Sequence, residues 1–341
     1  MKKLIFIMLM ISLIPMVLNA EVFPKTGTKG LQFLKLGIDS RAVGMAGAYV
    51  AVTDDISSVF WNPAGLALSF KKQVMFSHTM YVAGISHEYF ASSMPTMVGT
   101  FAISASLLHM DYMEIRTAES WDPTGEEFTA YDVAIAGTWA RPFTEKFSFG
   151  MTAKYLQENL YEYSDNGFSV DLGSKYNTLW KNLTIGMSLR NFGSDFKFEV
   201  DNDNDGSVDE DPFDLLDNDN DGLIDEDREE LAFGIPMSFS LGLSADIIDN
   251  ENSKLIGSFQ IDNFVDRKEV YSLGFEYNIS NFYLRTGKYF AYDAHNFSAG
   301  LGFRIPVHFA IINVDWSYTD MGYLSESFVN SSHRLSLKMQ F

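Results

Sequence analysis

Two stretches of this sequence carry oxygen-bearing side chains at a spacing that can wrap a metal ion. Asp201, Asn202, Asp203, Asn204, Asp205 and Gly206 recur sixteen residues later as Asp217, Asn218, Asp219, Asn220, Asp221 and Gly222, and each copy continues through two residues into Asp-Glu-Asp. Carboxylates at positions 1, 3 and 5 surround a hard divalent cation, and glycine at position 6 permits the tight turn that closes the loop. Asp209 and Asp225 stand at position 9, and the carbonyls of Ser207 and Leu223 fall at position 7. Calcium is the ion this chemistry suits, so Asp201, Asp203, Asp205, Asp209, Asp217, Asp219, Asp221 and Asp225 are its expected ligands.

The repeat resembles the calcium loops of EF-hand, dockerin and thrombospondin type-3 repeats. It departs from them at position 12, where Pro212 and Arg228 replace the bidentate acid; Asp211, Asp214, Asp227 or Glu229 could compensate, or the two loops could share an ion. No helices flank it, so the thrombospondin type-3 likeness is the closer one. The competing reading is a solvated acidic loop. Between 201 and 230 stand fifteen Asp/Glu against the single Arg228, a net charge of −14 out of −20 for the whole chain. The acidity belongs to one insert, 199–232, and no basic stripe remains for nucleic acid.

Other reactive constellations are missing from the sequence. His78, His87, His109, His295, His308 and His333 are scattered, no cysteine occurs, and neither Gly-x-Ser-x-Gly nor His-Glu-x-x-His is present. Asp293 and His295 are close together with no paired nucleophile in view. A non-enzymatic protein is expected.

Residues 1–20 have the form of a secretory signal: Lys2 and Lys3, an apolar run over 4–18, then Ala20, after which cleavage is expected. Beyond it no window approaches about 18 consecutive apolar residues, so any membrane crossing must be made by strands. The lack of cysteine excludes a lipid-anchored cysteine and a disulfide framework. Aromatic residues make up 15% of the chain and no Pro/Ser-rich linker divides it, which favours one large all-β unit.

Period-two alternation runs through most of that unit. At its end His333, Leu335, Leu337, Met339 and Phe341 share one face, while Arg334, Ser336, Lys338 and Gln340 share the other. The polar faces are rich in Ser, Gly and Thr where a soluble sheet would show Lys and Glu. Fourteen strands are expected, over 70–82, 85–94, 98–110, 130–141, 146–162, 167–178, 183–193, 236–248, 254–264, 270–280, 281–290, 296–306, 309–320 and 331–341. The fold class is therefore all-β: a closed antiparallel transmembrane β-barrel of about fourteen strands over 70–341, since lipid offers no partner for an open edge.

Connection lengths sort by parity. The even-numbered ones, near Pro95, Pro142, Asn177, Asn250, Asn278 and Pro306, are brief; the long ones, 111–129, 159–166, 194–235 and 321–330, are odd-numbered and are expected on the outer face with the acidic insert. Trp139, Trp180, Trp316, Tyr289 and Phe290 sit near strand ends, as interfacial aromatics do. A terminal Phe341 resembles the signal read by the barrel-assembly machinery.

Residues 36–66, LGIDSRAVGMAGAYVAVTDDISSVFWNPAGL, break this pattern. Glycines at 37, 44, 47 and 65 permit only short helices, one expected over 40–49, with Asp54 and Asp55 capping a second turn that Asn62 and Pro63 end. A barrel of this size has a lumen too wide for its own side chains to fill, so 21–69 is expected to be a plug or hatch inside it. Gly44, Gly47, Asp54, Asp55, Asn62, Pro63, Ala64 and Gly65 are its candidate residues. The Gly44-Met45-Ala46-Gly47-Ala48-Tyr49 and Trp61-Asn62-Pro63-Ala64-Gly65-Leu66 spellings resemble the PorV/PorQ family and, more remotely, the hatch of FadL-type transporters. That resemblance implies an integral protein of a Gram-negative-type outer membrane.

Two functions follow from it as expectations. A PorV/PorQ-like protein would be a partner in type IX secretion, acting in export or surface attachment of cargo proteins. A FadL-like one would pass small hydrophobic molecules from the hatch to the bilayer. The expected lumen carries Arg190, Arg285, Arg304, Arg334 and Lys338 against Asp171, Asp262, Glu276 and Asp315, a polar interior that argues against a greasy conduit.

Overall fold

A computed structural model describes residues 25, 27–116, 122–161, 163–178, 180, 182–198, 231–292, 294–322 and 331–341. The signal-like 1–20 and the acidic repeat, with its eight expected calcium ligands, lie outside the described residues.

Fourteen antiparallel strands close into a barrel: β1 Gln73–Met80, β2 Ser86–Thr96, β3 Gly99–His109, β4 Ala130–Pro142, β5 Phe147–Leu160, β6 Tyr163–Asn177, β7 Thr184–Gly193, β8 Ser238–Asn250, β9 Ser253–Phe264, β10 Val270–Ile279, β11 Phe282–Phe290, β12 Phe297–Val307, β13 Ala310–Thr319 and β14 Ser332–Gln340. Each pairs with its sequence neighbours, and β14 returns to β1 with Ser336 opposite Ser77 and Leu337 opposite Phe76. Closure leaves no edge with unpaired backbone groups.

Burial is inverted relative to a water-soluble protein. Phe76, Phe101, Ile103, Phe168, Phe239, Phe303 and Leu335 are exposed on the outer wall, while Ser77, Thr152, Asp171, Gln260, Ser298 and Ser336 are buried inside. Along β14 the alternation places Arg334, Ser336 and Lys338 inward and Leu335 and Leu337 outward, as its sequence pattern requires. An apolar outer band with a polar interior is what a barrel in lipid needs.

Connections at one end are short, for example 97–98, 251–252 and 280–281. The other end carries the longer ones, including hairpins that pair Met113 with Phe128 and Phe196 with Phe233. One expected long loop does not exist: Leu160 already pairs with Tyr163, because β5 and β6 extend beyond their neighbours as a ribbon. Trp139 follows expectation, its indole Nε1 donating to the Val98 carbonyl at 3.1 Å beside a short turn. Tyr289 does not, for it points inward and is buried. Arg304 keeps the inward parity of β12 but is exposed at the short-turn mouth.

Candidate functional site

Residues 31–69 run through the lumen. Their backbone and side chains bond inward-facing groups on β5, β6, β9, β10, β12 and β14, strands distributed around the ring, so the segment occupies the interior. Two short helices and two 3-10 turns compose it: Gln32–Lys35, α1 Ser40–Gly44, α2 Ser58–Trp61 and Pro63–Leu68. The first helix is shorter than expected. It stops at Gly44 because Ala46 and Gly47 take left-handed conformations, with φ of 55° and 69°.

Small residues let this backbone lie against the wall. A side-chain carbon added at Gly44 would meet Arg285 Cβ and Gly300 Cα, both at 3.2 Å, and one at Gly65 would lie 2.6 Å from Ser58 Oγ. The wall answers in kind: Gly186 faces Val50, Gly274 and Gly287 face Met45, and Gly173 faces Asn62 and Pro63, each too closely to admit a side chain.

Asn62 is the polar hub of the last turn. Fully buried, it donates its amide to the Val50 carbonyl at 2.8 Å and to the Ser174 carbonyl at 3.1 Å, while its Oδ1 accepts the Ala64 N–H at 3.2 Å. Pro63 follows at the first position of the 3-10 turn, where its missing N–H costs nothing. Ser148 of β5 donates to the Ala64 carbonyl at 3.1 Å. The turn is thereby tied to β5, to β6 and to the segment's own Val50.

Charge fixes the opposite side. Arg41 bonds Glu276 through Nε at 2.8 Å and Nη2 at 2.9 Å, and reaches Asp54 at 2.6 Å and Asp55 at 3.4 Å. Glu276 also accepts from Arg285 Nε at 2.7 Å, and Arg285 continues to Asp315 at 2.6 Å. Lys338 bridges Asp39 at 2.7 Å and Asp55 at 2.8 Å. Burial pushes the Asp55 carboxyl up, but Lys338 and Arg41 outweigh it and hold the group below the usual carboxylate range. For Asp39 burial prevails over Lys338, and its carboxyl is raised. Lys175 completes the set by donating to the Thr53 carbonyl.

The segment separates two cavities. On the short-turn side one of about 240 Å³ is lined by Arg41, Asp54, Asp55, Arg285, Asp315 and Lys338. On the long-loop side one of about 290 Å³ is lined by Trp61, Arg190, Tyr289, Tyr292, His295 and Arg334, among others. No residue lines both. His295, the histidine singled out in the sequence, belongs to this second wall; its expected neighbour Asp293 lies outside the described residues.

All the candidate residues between Gly44 and Gly65 thus fall within one luminal body, and Phe341 lies apart at the short-turn end, its N–H donating to the Lys72 carbonyl at 2.9 Å. Sequence reasoning missed Asp39, Arg41, Lys154 and Lys175. Lys154 pairs with the fully buried Asp171 at 2.6 Å. Glycine on the polar faces of the strands is legible in the sequence, but its role is seen only in the structure, where Gly173, Gly186, Gly274 and Gly287 admit the backbone of the luminal segment.

A family model described as type IX secretion system protein PorV matches residues 20–205, more than half of the chain. The crystal structure of the Pseudomonas putida toluene transporter TodX aligns with TM-score 0.53 at 12% identity, covering 89% of this chain and 97% of that one. The Ralstonia pickettii toluene transporter TbuX gives TM-score 0.53 at 12% identity, with 89% and 98% covered. The CymD monoaromatic hydrocarbon channel gives 0.52 at 12%, with 89% and 96% covered. At these identities the likeness is one of fold. No curated protein matches the sequence.

Proposed function

The chain belongs to the PorV family of type IX secretion system proteins, and from that premise we propose that it serves, without catalysing a reaction, as an outer-membrane partner in protein export or surface attachment. The observation that carries this reading is the anchoring of the luminal segment: Arg41, Asp39 and Asp55 are ion-paired to Glu276 and Lys338 in a buried network. A segment held by charge to several strands suits a barrel that stays closed and works through its outer loops. The long-loop end then faces the cell exterior and the short turns face the periplasm. Secreted cargo is the partner, and the acidic repeat in the connection after β7 is a calcium-ordered projection on the exterior side.

A second reading has its own observation. The aromatic-walled cavity on the long-loop side resembles a binding chamber for a small organic molecule, as an outer-membrane transporter would possess. Deleting the gene in the native organism separates the two. Retention of normally surface-attached proteins in the periplasm supports the export role. Normal secretion with impaired uptake of aromatic compounds supports transport and overturns the first reading.

A further inference from the structure

Asp132 on β4 and Glu158 on β5 stand directly opposite each other in the strand register. Both keep the inward parity of their strands, and they are 9% and 7% exposed. Cross-strand partners of this kind hold their Cβ atoms about 5 Å apart, where like charges repel. The outward-facing residues at this height, Gln157, Asn159 and Asn166, are polar, so the pair lies beyond the lipid band at the base of the β5–β6 ribbon.

The surroundings are apolar. Ala134 and Leu156 are the next inward residues along the two strands, and Leu108 on β3 faces Asp132. Leu31 of the luminal segment packs into the same cluster with Phe33, Leu34 and Phe196. It holds a left-handed φ of 49°, and its N–H comes close to Glu158. The pair therefore lies against the start of the luminal segment, where the Gln32–Lys35 turn begins.

Among the described residues no cation answers these carboxylates. Lys154, further along β5, is paired with Asp171 at 2.6 Å, and Lys35 with Asp266 at 2.8 Å. Lys29 Nζ lies beside Gly234, near the Asp195 carboxylate. On β6 Asp165 faces Glu158, and its two oxygens accept the Asn166 and Lys197 N–H groups at 2.6 Å each. His87 on β2, across from Leu108, holds Ser106 Oγ at 2.6 Å through Nε2. Glu158 Oε2 is left sealed without a partner.

Two carboxylates in such a setting cannot both be ionised at small cost, whereas a proton between them removes one charge and supplies the hydrogen bond that Glu158 lacks. Burial and the neighbouring Glu158 push the Asp132 carboxyl up to about 7, and burial raises Glu158 as well. Their titration belongs to the pair.

We propose that Asp132 and Glu158 share one proton and form a latch for the outer end of the luminal segment, docked while the proton is held and loosened when it is lost. This goes beyond the export role and does not rest on it. An unfolded carboxyl releases its proton near pH 4, whereas the folded pair keeps it to about 7. The latch is therefore at full strength below about pH 4 and is lost as pH rises through about 7.

The test follows amide hydrogen exchange of the purified full-length barrel in lipid nanodiscs at about pH 5.5 and about pH 8.5, expressed as protection factors so that the intrinsic pH dependence of exchange cancels. Protection of residues 31–36 is expected to fall at least tenfold at the higher pH, while that of residues 58–68 is kept. Glu158→Gln and Asp132→Asn each leave one charge and one hydrogen bond, and each is expected to shrink the fall to less than twofold. Heat-modifiable electrophoretic migration shows which variants have folded, and the profile of the unaltered protein needs no variant. Repeating that profile with a chelator separates a shared proton from a bound metal ion. Protection of 31–36 that does not change with pH, an equal fall in a folded variant, or a fall that disappears with the chelator overturns the proposal.

Discussion

Arg41 on the luminal segment and Glu276 on β10 meet through two parallel hydrogen bonds, Nε to Oε2 at 2.8 Å and Nη2 to Oε1 at 2.9 Å. The fork-on-carboxylate geometry ties a helix of only five residues to the barrel wall. Replacing Arg41 by Gln leaves Glu276 with Arg285 and Asp55 with Lys338, but removes a half-buried cation from the shared network. A loss of about 3 kcal/mol is expected, measured as a lower unfolding midpoint in lipid. Arg41→Lys should recover little, since a point charge cannot make both bonds. The Arg41→Gln, Glu276→Gln double variant should lose less than the sum of the singles, because both break one network.

Glycines on the luminal parity of the wall should be far less tolerant than glycines facing lipid. Gly274→Val places its side chain against Met45, whereas Gly137, exposed on the outer face of β4, has open space around it. Gly274→Val is expected to expel the segment and expose residues 39–68 to protease. Gly137→Val should leave proteolysis unchanged, since valine favours a strand and the outer face is apolar. Equal protection of both variants would show that the segment does not depend on this approach.

Asn62 satisfies two buried carbonyls and one buried N–H at once. Asn62→Ala should therefore cost about 1–3 kcal/mol through groups left unbonded. Asn62→Asp keeps the acceptor for Ala64 but loses both donors and adds a buried charge, so it should be the worse of the two. Urea midpoints of the two variants in the same lipid check the order.

Much of this architecture is legible in the sequence, and the reason is physical. A barrel wall forces strict two-residue alternation, so all fourteen strands are legible, while their ends are less so: the first is Gln73–Met80 rather than 70–82, and β6 already pairs with β5 ahead of its expected start at 167, as with Asn166 opposite Gln157. Tyr289 was assigned by residue type to the interface, yet Arg285, Gly287 and Tyr289 share one parity, and that parity turns it inward. Inside the lumen no period exists. The Asn-Pro-Ala turn was readable because its local chemistry is fixed by neighbours in sequence, whereas Arg41 meets a carboxylate 235 residues away. Such partners are set by the path of an irregular backbone, which composition does not encode.

The long-loop end should weaken in mild acid. The His295 imidazole is held down to about 4, whereas an unfolded histidine titrates near 6.5. Between those values the unfolded chain binds the extra proton, so stability is complete above about pH 6.5 and declines as pH falls toward 4. The size is on the order of 3 kcal/mol at most, read as rising hydrogen exchange in residues 291–296. Asp55, whose carboxyl is held low, adds a loss at still lower pH. His295→Gln should remove the first step and keep the second.

The acidic repeat gives the last expectation. Fifteen carboxylates crowded into thirty positions repel one another unless a counterion is bound. Calcium bound by Asp201, Asp203, Asp205 and Asp209, and by Asp217, Asp219, Asp221 and Asp225, would remove that repulsion while the glycines at 206 and 222 make the turns. The intact protein is expected to take up calcium at millimolar concentration or below, and trypsin cleavage at Arg228 should slow when it does. Asp205→Asn and Asp221→Asn together should abolish both effects while the barrel keeps its heat-modifiable migration, because the fourteen described strands close the ring among themselves. Magnesium at the same concentration is the discriminating control: a merely solvated acidic loop would be screened equally by either ion, whereas a loop built for seven or eight oxygen ligands prefers calcium.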